Sequence, residues 1–201
     1  MGREPKNFRL LFSDDMARAI VQGRKTVTRR PIAPQPVIPP DVGQHLAPGE
    51  TLSMLVNESW QSGFVDVRAP CAPGDILIGR ECTRTCTAGV GNDWTEYRAD
   101  GTEPRQDRVY VSRWRPSIHM PDWAARIRRR VVSVTVERLQ DISEVDAVRE
   151  GFSVGEDWEM FGASTRFCAV WNSIYAAKGL GWHINPWVWR IEFSAQNDPA
   201  A

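Results

Sequence analysis

The chain has no surplus of either charge. Its 201 residues include 25 Lys and Arg and 25 Asp and Glu, for a formal net charge of zero. A protein that binds along a length of nucleic-acid backbone usually carries a basic surplus, so the composition excludes a histone-like role. The cations are instead concentrated in a first cluster of Arg24, Lys25, Arg29 and Arg30 and a second cluster of Arg126, Arg128, Arg129 and Arg130. Such clusters favour a small anionic ligand or a short nucleic-acid contact, or they form solvated faces.

Long apolar runs are also absent. No stretch approaches the roughly 20 residues that cross a bilayer, and no apolar segment follows a basic start as in a secretory signal. We therefore predict a cytoplasmic protein without a membrane partner, in which the four cysteines stay reduced. Cys82 and Cys86 have the spacing of half a structural zinc site, but Cys71 and Cys168 form no second pair. Glycine-rich phosphate loops, HExxH and GxSxG are missing too, so we predict no metal and no cofactor.

Apolar patterning indicates one α+β domain over residues 1–201. Alternating apolar residues predict strands, and apolar residues at helical spacing predict helices. The strands are expected at Phe8–Phe12, Thr51–Val56, Ile76–Cys82, Ala125–Leu139 and Trp187–Phe193, and the helices after Ser13, after Ser143 and over Thr165–Ala177. Because strands stand at both ends with short helices between them, the pattern favours a small mixed barrel over a doubly wound sheet.

Four segments are expected to depart from regular structure. Residues 31–50 contain six prolines, which exclude a regular helix or central strand and predict an extended loop. Residues 83–112 are rich in Gly, Asp, Thr and Arg, which is typical of an insertion of hairpins or loops. Pro116–Pro121 is bounded by prolines, which predict a fixed extended loop. Residues 194–201 are expected to form a frayed tail.

One basic segment carries a recognisable motif. The residues from Gly23 to Arg30 fit G-x-K-x-x-T-x-R at Gly23, Lys25, Thr28 and Arg30, and the chain thereby resembles the ASCH family of the PUA-like superfamily. Further marks of that family follow in the expected order, at Pro73–Asp75, Leu139–Gly151 and Ile191–Phe193. More narrowly, the chain is similar to ASCH proteins of phages and prophages, which share strings that stand here at Tyr97–Asp100, Trp114–Pro121 and Asn185–Trp189.

The resemblance implies a PUA-like β-barrel, flanked by short helices, with a cleft for RNA, nucleosides or modified bases. One bacterial branch of the family consists of amidohydrolases that deacetylate N4-acetylcytidine with a Lys, a Thr and a Glu. The matching positions are Lys25, Thr28 and Glu150. The chain departs from those enzymes in size, because it is about twice as long and adds the Pro-rich loop and the 83–112 insertion.

The residues themselves set conditions on that chemistry. A Thr hydroxyl attacks a carbonyl only when a base lies beside it, and a Lys acts as that base only when burial or nearby cations lower its pKa. The neighbouring arginines of the first cluster supply such cations. In an ideal strand, residues three apart face opposite ways, so Lys25 and Thr28 can meet only if a turn or strong twist follows Gly23. Glu150 would orient Lys25 or accept a hydrogen bond from a base.

Six further residues are candidates for substrate binding. They are Arg24, Arg30, Arg80, Glu81, Ser117 and His119. For the adjacent Arg80 and Glu81, an ion pair with each other is the default expectation. Ser117 and His119 share the proline-bounded loop, where a structural role is the alternative to lining a cleft.

Three functions remain open from the sequence. The first is an ASCH-type enzyme that acts on a modified base or nucleoside, in its most concrete form by hydrolysing the amide of N4-acylated cytosine. The second is a module that binds RNA or modified DNA without turnover. The third is a phage accessory or assembly protein, which a cleft filled by its own side chains would favour. A hydrogen bond between Lys25 Nζ and Thr28 Oγ1 would favour the first over the second.

Overall fold

The structure is a computed structural model that describes residues 3–36, 69–101, 110–152 and 162–198. The expected strand Thr51–Val56 and residues 37–50 of the Pro-rich loop lie outside the described residues, as do residues 102–109 of the insertion. Eight strands are described. They are β1 (Asn7–Leu11), β2 (Val27–Pro31), β3 (Ile76–Arg80), β4 (Thr83–Thr87), β5 (Asp93–Tyr97), β6 (Tyr110–Val111), β7 (Ile127–Arg138) and β8 (Trp187–Phe193).

Five of these strands form the main sheet, in the order β1-β3-β7-β8-β2. The β1–β3 pair is parallel and the other three pairs are antiparallel. Among the described residues no backbone ladder joins the edge strands β1 and β2, so the expected closed barrel is not formed by these strands. The two edges are linked by a side chain, because Arg30 Nη2 donates a hydrogen bond to Leu11 O at 2.9 Å. The α+β class predicted from the sequence is confirmed.

In the long strand β7, buried and exposed residues do not alternate strictly from one end to the other as the sequence predicts. Its buried positions include Ile127 and Val131 in the first half and Val134 and Val136 in the second, so the buried set changes from odd to even numbers. The change coincides with a break in the register against β8 between Val131 and Ser133. A β-bulge adds one residue to one strand and thereby reverses the face of every later side chain.

Three short helices pack against the sheet. They are α1 (Asp14–Val21), α2 (Glu144–Arg149) and α3 (Ala163–Tyr175), as expected from the sequence. Ser143 caps α2, since its Oγ accepts a hydrogen bond from Asp146 N at 3.1 Å. In the described ranges no helix has the length and apolar character needed to cross a membrane.

The insertion supplies a second, smaller sheet. Strands β4, β5 and β6 are antiparallel in the order β5-β4-β6, which confirms the expected hairpins within its described part. The extended loop predicted at Pro116–Pro121 is wrong, because Ser117–His119 forms a 3-10 turn. The φ that Pro116 fixes also suits such a turn, and Pro121 holds only the preceding Met120 extended.

The tail prediction is wrong for residues 194–198. Asn197 Oδ1 accepts hydrogen bonds from Arg128 N at 3.0 Å and from Arg129 Nη1 at 2.7 Å, and Asp198 N donates to Arg128 O at 2.9 Å. These bonds tie the segment to the edge of β7, and a polar segment can gain such order without burying apolar surface.

Candidate functional site

Three residues of the G-x-K-x-x-T-x-R segment, Lys25, Thr28 and Arg30, line one cavity. It has a volume of about 90 Å³ and lies between the end of β1, the start of α1, the strand β2, the end of α2 and the helix α3. We call it the basic pocket. Its polar lining consists of Ser13, Lys25, Thr28, Arg29, Arg30 and Glu150, and its aromatic lining consists of Phe12, Phe152, Phe167, Trp171 and Tyr175. A cavity lined by both polar groups and aromatic rings suits a flat ligand with hydrogen-bonding edges.

A tight turn brings Lys25 into the pocket. Gly23 has φ +73°, and the backbone N–H groups of Arg24 and Lys25 both donate to Ala19 O, at 2.9 and 3.0 Å. The chain therefore reverses at the end of α1 before β2 begins at Val27. Because Lys25 precedes the strand, strand alternation does not separate it from Thr28, and both residues line the same cavity.

The ammonium group of Lys25 is buried and fully hydrogen-bonded. The residue is 2% exposed, and Nζ donates to Val27 O at 2.8 Å, to Glu150 O at 2.8 Å and to Glu150 Oε2 at 2.5 Å. Lysine has three N–H donors, so these acceptors use all of them. Burial lowers the pKa of Lys25. The carboxylate of Glu150 acts in the opposite direction, whereas the charges of Arg30 and Arg29 lower the pKa further.

Glu150 is held on both of its carboxylate oxygens. Oε2 accepts from Lys25, and Oε1 accepts from Arg29 Nη1 at 3.3 Å. The following Gly151 has φ +99°, and a Cβ at that position would lie 2.9 Å from Ala19 Cβ and 3.2 Å from Lys25 Cβ. The close approach that glycine permits therefore brings the end of α2 against Lys25, and this geometry favours an orienting role for Glu150.

Arg29 is committed to a buried ionic network. Its side chain is 0% exposed and pairs with Glu137 at 2.6 Å, with Asp146 at 2.7 Å and with Glu150 at 3.3 Å. Burial opposes its charge, but Glu150, Glu137 and Asp146 outweigh burial and raise the pKa of Arg29. With three carboxylates around one guanidinium, Arg29 positions Glu150 rather than a ligand.

Thr28 and Arg30 face the cavity and make fewer contacts with other polar groups of the protein. Thr28 is buried, and among the described residues no hydrogen bond joins its hydroxyl to Lys25 Nζ. Arg30 bonds Leu11 O through Nη2, and its guanidinium carbon lies 5.3 Å from the centroid of the Phe12 ring. No carboxylate in the described part of the chain pairs with Arg30, so its remaining donors are available to a ligand.

Four other predicted residues do not line the basic pocket. Arg24 is exposed and bonds Gln22 and Gly151 O. The expected Arg80–Glu81 pair is wrong, because successive residues of an extended chain point to opposite sides. Arg80 pairs with Asp122 at 3.0 Å, whereas Glu81 accepts two hydrogen bonds from Arg126, at 2.8 and 2.9 Å. His119 is exposed.

Ser117 lines a second cavity, which we call the outer pocket. Its volume is about 430 Å³, and it shares Leu11, Phe12 and Ser13 with the basic pocket. The rest of its lining consists of Asp14, Cys82, Arg98, Trp114, Pro116 and Ser117. The two cavities therefore adjoin at the junction of β1 and α1.

Sequence reasoning missed the aromatic wall contributed by α3. Phe167, Trp171 and Tyr175 fall on one side of the helix, a pattern that predicts a core face. Phe167 and Trp171 are buried, yet all three residues also border the cavity. Phe152 packs edge-on against Phe167, with centroids 5.8 Å apart and planes at 88°. The placement of three aromatic residues on one face of the helix was the sequence feature that could have indicated this wall.

The second cluster makes contacts within the protein. Arg126 binds Glu81 and Asp100, Arg128 donates to Ala125 O and Asp122 O, Arg129 donates to Ile20 O and Asn197, and Arg130 pairs with Asp198 at 2.5 Å. Within the described residues, no group of three or more His, Cys, Asp and Glu side chains could hold a metal ion.

Comparison of the chain with family models, with curated proteins and with solved structures found no match. The case for a function therefore rests on the geometry of the two pockets and on the motif of the first cluster.

Proposed function

We propose that the protein is an ASCH-type amidohydrolase that binds a cytosine nucleoside in the basic pocket and hydrolyses an acyl amide on its N4 atom. One observation carries the proposal. Lys25, Thr28 and Glu150 were selected from the sequence alone, and Glu150 is 125 positions from Lys25, yet all three line a single cavity. The alignment of these residues with the Lys, Thr and Glu of the family's deacetylases supports amide hydrolysis.

The size and walls of the cavity support a nucleobase as the ligand. Its volume of about 90 Å³ is well below the roughly 300–1,000 Å³ of pockets that enclose drug-sized molecules. A single flat ring suits such a space, and aromatic side chains stack on bases of any sequence. Arg30, with donors left over, would hold the edge of the base or the acyl oxygen.

The reaction begins with a proton shift inside the Lys25–Glu150 pair. A proton passes from Lys25 Nζ to Glu150 Oε2 along their 2.5 Å hydrogen bond, which leaves a neutral amine. Burial favours the neutral amine, since it lowers the pKa of Lys25. Thr28 Oγ1 then attacks the acyl carbon and gives its proton to Lys25 Nζ, while Arg30 stabilises the oxyanion.

The second half of the reaction consumes one water. The carbon–nitrogen bond breaks, Lys25 returns its proton to the departing N4, and the acyl group stays on Thr28 as an ester. A water molecule then adds to the ester carbon and gives one proton, through Lys25, to Thr28 Oγ1 as the carboxylic acid leaves; the proton on Glu150 returns to Lys25 and restores the starting state. The net change is amide plus water to amine plus acid.

A second candidate is a binding module with the same pocket and no turnover. Two observations favour it: the three protons of Lys25 are all bonded, two of them to backbone carbonyls, and none of these bonds goes to Thr28 Oγ1, the contact expected of the enzyme. An ammonium held in this way cannot act as a base until it loses a proton. The third possibility, an accessory protein with a filled cleft, gains no support from a cavity that retains about 90 Å³ of open space.

The experiment is incubation with N4-acetylcytidine and N4-acetyl-2′-deoxycytidine, with released cytidine or deoxycytidine measured by chromatography. We expect the wild type to release product and Thr28→Val, which removes only a hydroxyl, to lose at least about 100-fold in rate, as for removal of a general-base or nucleophilic function. Lys25→Ala tests the base. Arg128→Ala is the matched control, because it removes a cation from the second cluster.

The outcomes separate the candidates. Product release that is lost in Thr28→Val and Lys25→Ala but retained in Arg128→Ala supports the amidohydrolase. Binding of the nucleoside by calorimetry without any release supports the binding module. If folded protein neither binds nor releases the nucleoside, both proposals are overturned.

A further inference from the structure

The outer pocket is too large for the ligand that fits the basic pocket. Its volume of about 430 Å³ falls in the range of sites that enclose whole small molecules, whereas the basic pocket admits one ring. The two cavities share the wall formed by Leu11, Phe12 and Ser13. A group attached to a base in the basic pocket would therefore reach the outer one across this junction.

We propose that the outer pocket binds the nucleotide next to the held base, so that the ligand is a base within a single-stranded nucleic acid. This inference rests on the proposed function, because it assumes a base in the basic pocket. It specifies the substrate class, which neither the motif nor the basic pocket determines.

Trp114 supplies a stacking surface in the outer pocket. Its indole lines the cavity, and the guanidinium carbon of Arg84 lies 4.3 Å from the indole centroid. Arg84 is itself held by Glu96 at 2.7 Å, so the arginine fixes the ring from the side of the small sheet. Aromatic side chains on which successive bases stack are the common element of sites for single-stranded nucleic acid.

The chain around Trp114 also carries cations for phosphate groups. Arg113 and Arg115 flank it in sequence, both are exposed, and no carboxylate of the described residues pairs with either. Arg98 lines the cavity and pairs with Asp14 at 2.5 Å. Arginine contacts to phosphates position a nucleic acid without reading its sequence.

Asp14 offers an acceptor in the same cavity. Its Oδ2 is bonded to Arg98, and its Oδ1 is buried without a hydrogen-bond partner among the described residues. Arg98 balances the charge of this carboxylate, so Asp14 does not exclude a phosphate nearby. A buried acceptor without a partner is costly, and a hydroxyl of a sugar would satisfy it.

The test compares two ligands that differ only in the neighbouring nucleotides. They are N4-acetylcytidine and a single-stranded RNA hexamer with one central N4-acetylcytidine among uridines. The affinities are measured by calorimetry on wild type, Trp114→Leu and the control Trp123→Leu. Trp123 is 76% exposed and lines neither pocket. We expect the wild type to bind the hexamer more tightly than the nucleoside. We also expect Trp114→Leu to weaken the hexamer alone, by about tenfold, as for loss of one stacked base.

A second variant covers the case in which Trp114→Leu does not fold. Ser117→Phe places a large side chain in the outer pocket and should weaken the hexamer while sparing the nucleoside. If the hexamer binds no more tightly than the nucleoside, or if cytidine 5′-monophosphate acetylated at N4 binds as tightly as the hexamer, the inference is overturned and the proposed function stands. If neither ligand binds to folded wild type, the proposed function is overturned as well.

Discussion

The first and second clusters look alike in the sequence and behave differently in the structure. Each contains four cations within seven residues or fewer. In the first cluster Lys25, Arg29 and Arg30 all border the basic pocket. In the second cluster every member bonds a carboxylate, a side-chain amide or a backbone carbonyl of the protein itself.

The difference arises from the elements on which the clusters lie. The first begins at the turn after Gly23 and enters an edge strand, so its side chains meet the end of α2 and the wall of α3. The second begins just before β7 and covers its first residues, which pair with β3 on one side and are bonded by Asn197 and Asp198 on the other. Charge density in a sequence therefore predicts cations but not which of them line the basic pocket.

We expect the loss of Arg29, from the first cluster, to destabilise the protein more than any other single change at the two clusters. Arg29→Met removes a cation that contacts Glu137, Asp146 and Glu150 together, and it takes the ion-pair partner from Glu137 while Asp146 keeps Arg190 and Glu150 keeps Lys25. We expect the free energy of unfolding to fall by about 3–5 kcal/mol, as measured by urea denaturation. Arg128→Met is the control, and it should cost under about 1 kcal/mol because its bonds go to backbone carbonyls. Equal losses for the two variants would contradict the comparison.

Arg126 is the member of the second cluster whose loss should affect stability most. Arg126 holds the fully buried Glu81 by two hydrogen bonds, and its guanidinium carbon lies 3.9 Å from the centroid of the Tyr97 ring. Burial raises the pKa of Glu81, and Arg126 opposes that rise. Arg126→Met should therefore lower the free energy of unfolding by about 1–3 kcal/mol.

Affinity for the nucleoside distinguishes this effect from a role in the site. We expect Arg126→Met to bind N4-acetylcytidine as the wild type does, in calorimetry on protein kept well below its denaturation midpoint. A matched Arg30→Met variant should bind more weakly at near-wild-type stability. If Arg126→Met lost affinity by the same factor as Arg30→Met, the second cluster would have to be counted as part of the site.

The sequence predicted the local elements well, because each has a short-range cause. The alternating residues of β7 and the helix start after Ser143 depend on a few neighbouring residues, and both the strand and the helix are confirmed. The bulge at Val131–Ser133 was missed because its signal lies in the register with β8 rather than in β7 itself. The open edge between β1 and β2 was missed for the same reason, since pairing between distant strands has no local signature.

The sequence selected residues that line the basic pocket but did not predict their geometry. The motif of the first cluster selected Lys25 and Thr28, and the resemblance of the segment Leu139–Gly151 selected Glu150; the structure brings all three to one cavity. Nothing in the motif indicated that Arg29 would bind three carboxylates, because those partners come from β7 and α2. The wrong Arg80–Glu81 pair has the opposite cause, since sequence neighbours in an extended segment face apart.

Asp146, a carboxylate paired with Arg29 of the first cluster, is expected to have a small effect on how stability depends on pH. Asp146 accepts from Arg190 Nε at 2.9 Å and from Arg29 Nη2 at 2.7 Å. The hydrogen bonds from Arg190 and then Arg29 lower the pKa of Asp146 to about 2. Because the pKa in the folded state is below the ordinary value of about 3.9, the carboxylate stabilises the fold above that value, and this stabilisation is lost as the pH falls through about 2.

Asp146→Asn should therefore flatten the dependence of stability on pH between about 4 and 2, by on the order of 1 kcal/mol after allowance for solvent screening. The measurement is urea denaturation at a series of pH values. Asp100→Asn, which removes a carboxylate paired with Arg126 in the second cluster, is the control for the loss of one surface charge, and its curve is subtracted. A difference curve without slope in this range would mean that Asp146 does not link the first cluster to the acid stability of the fold.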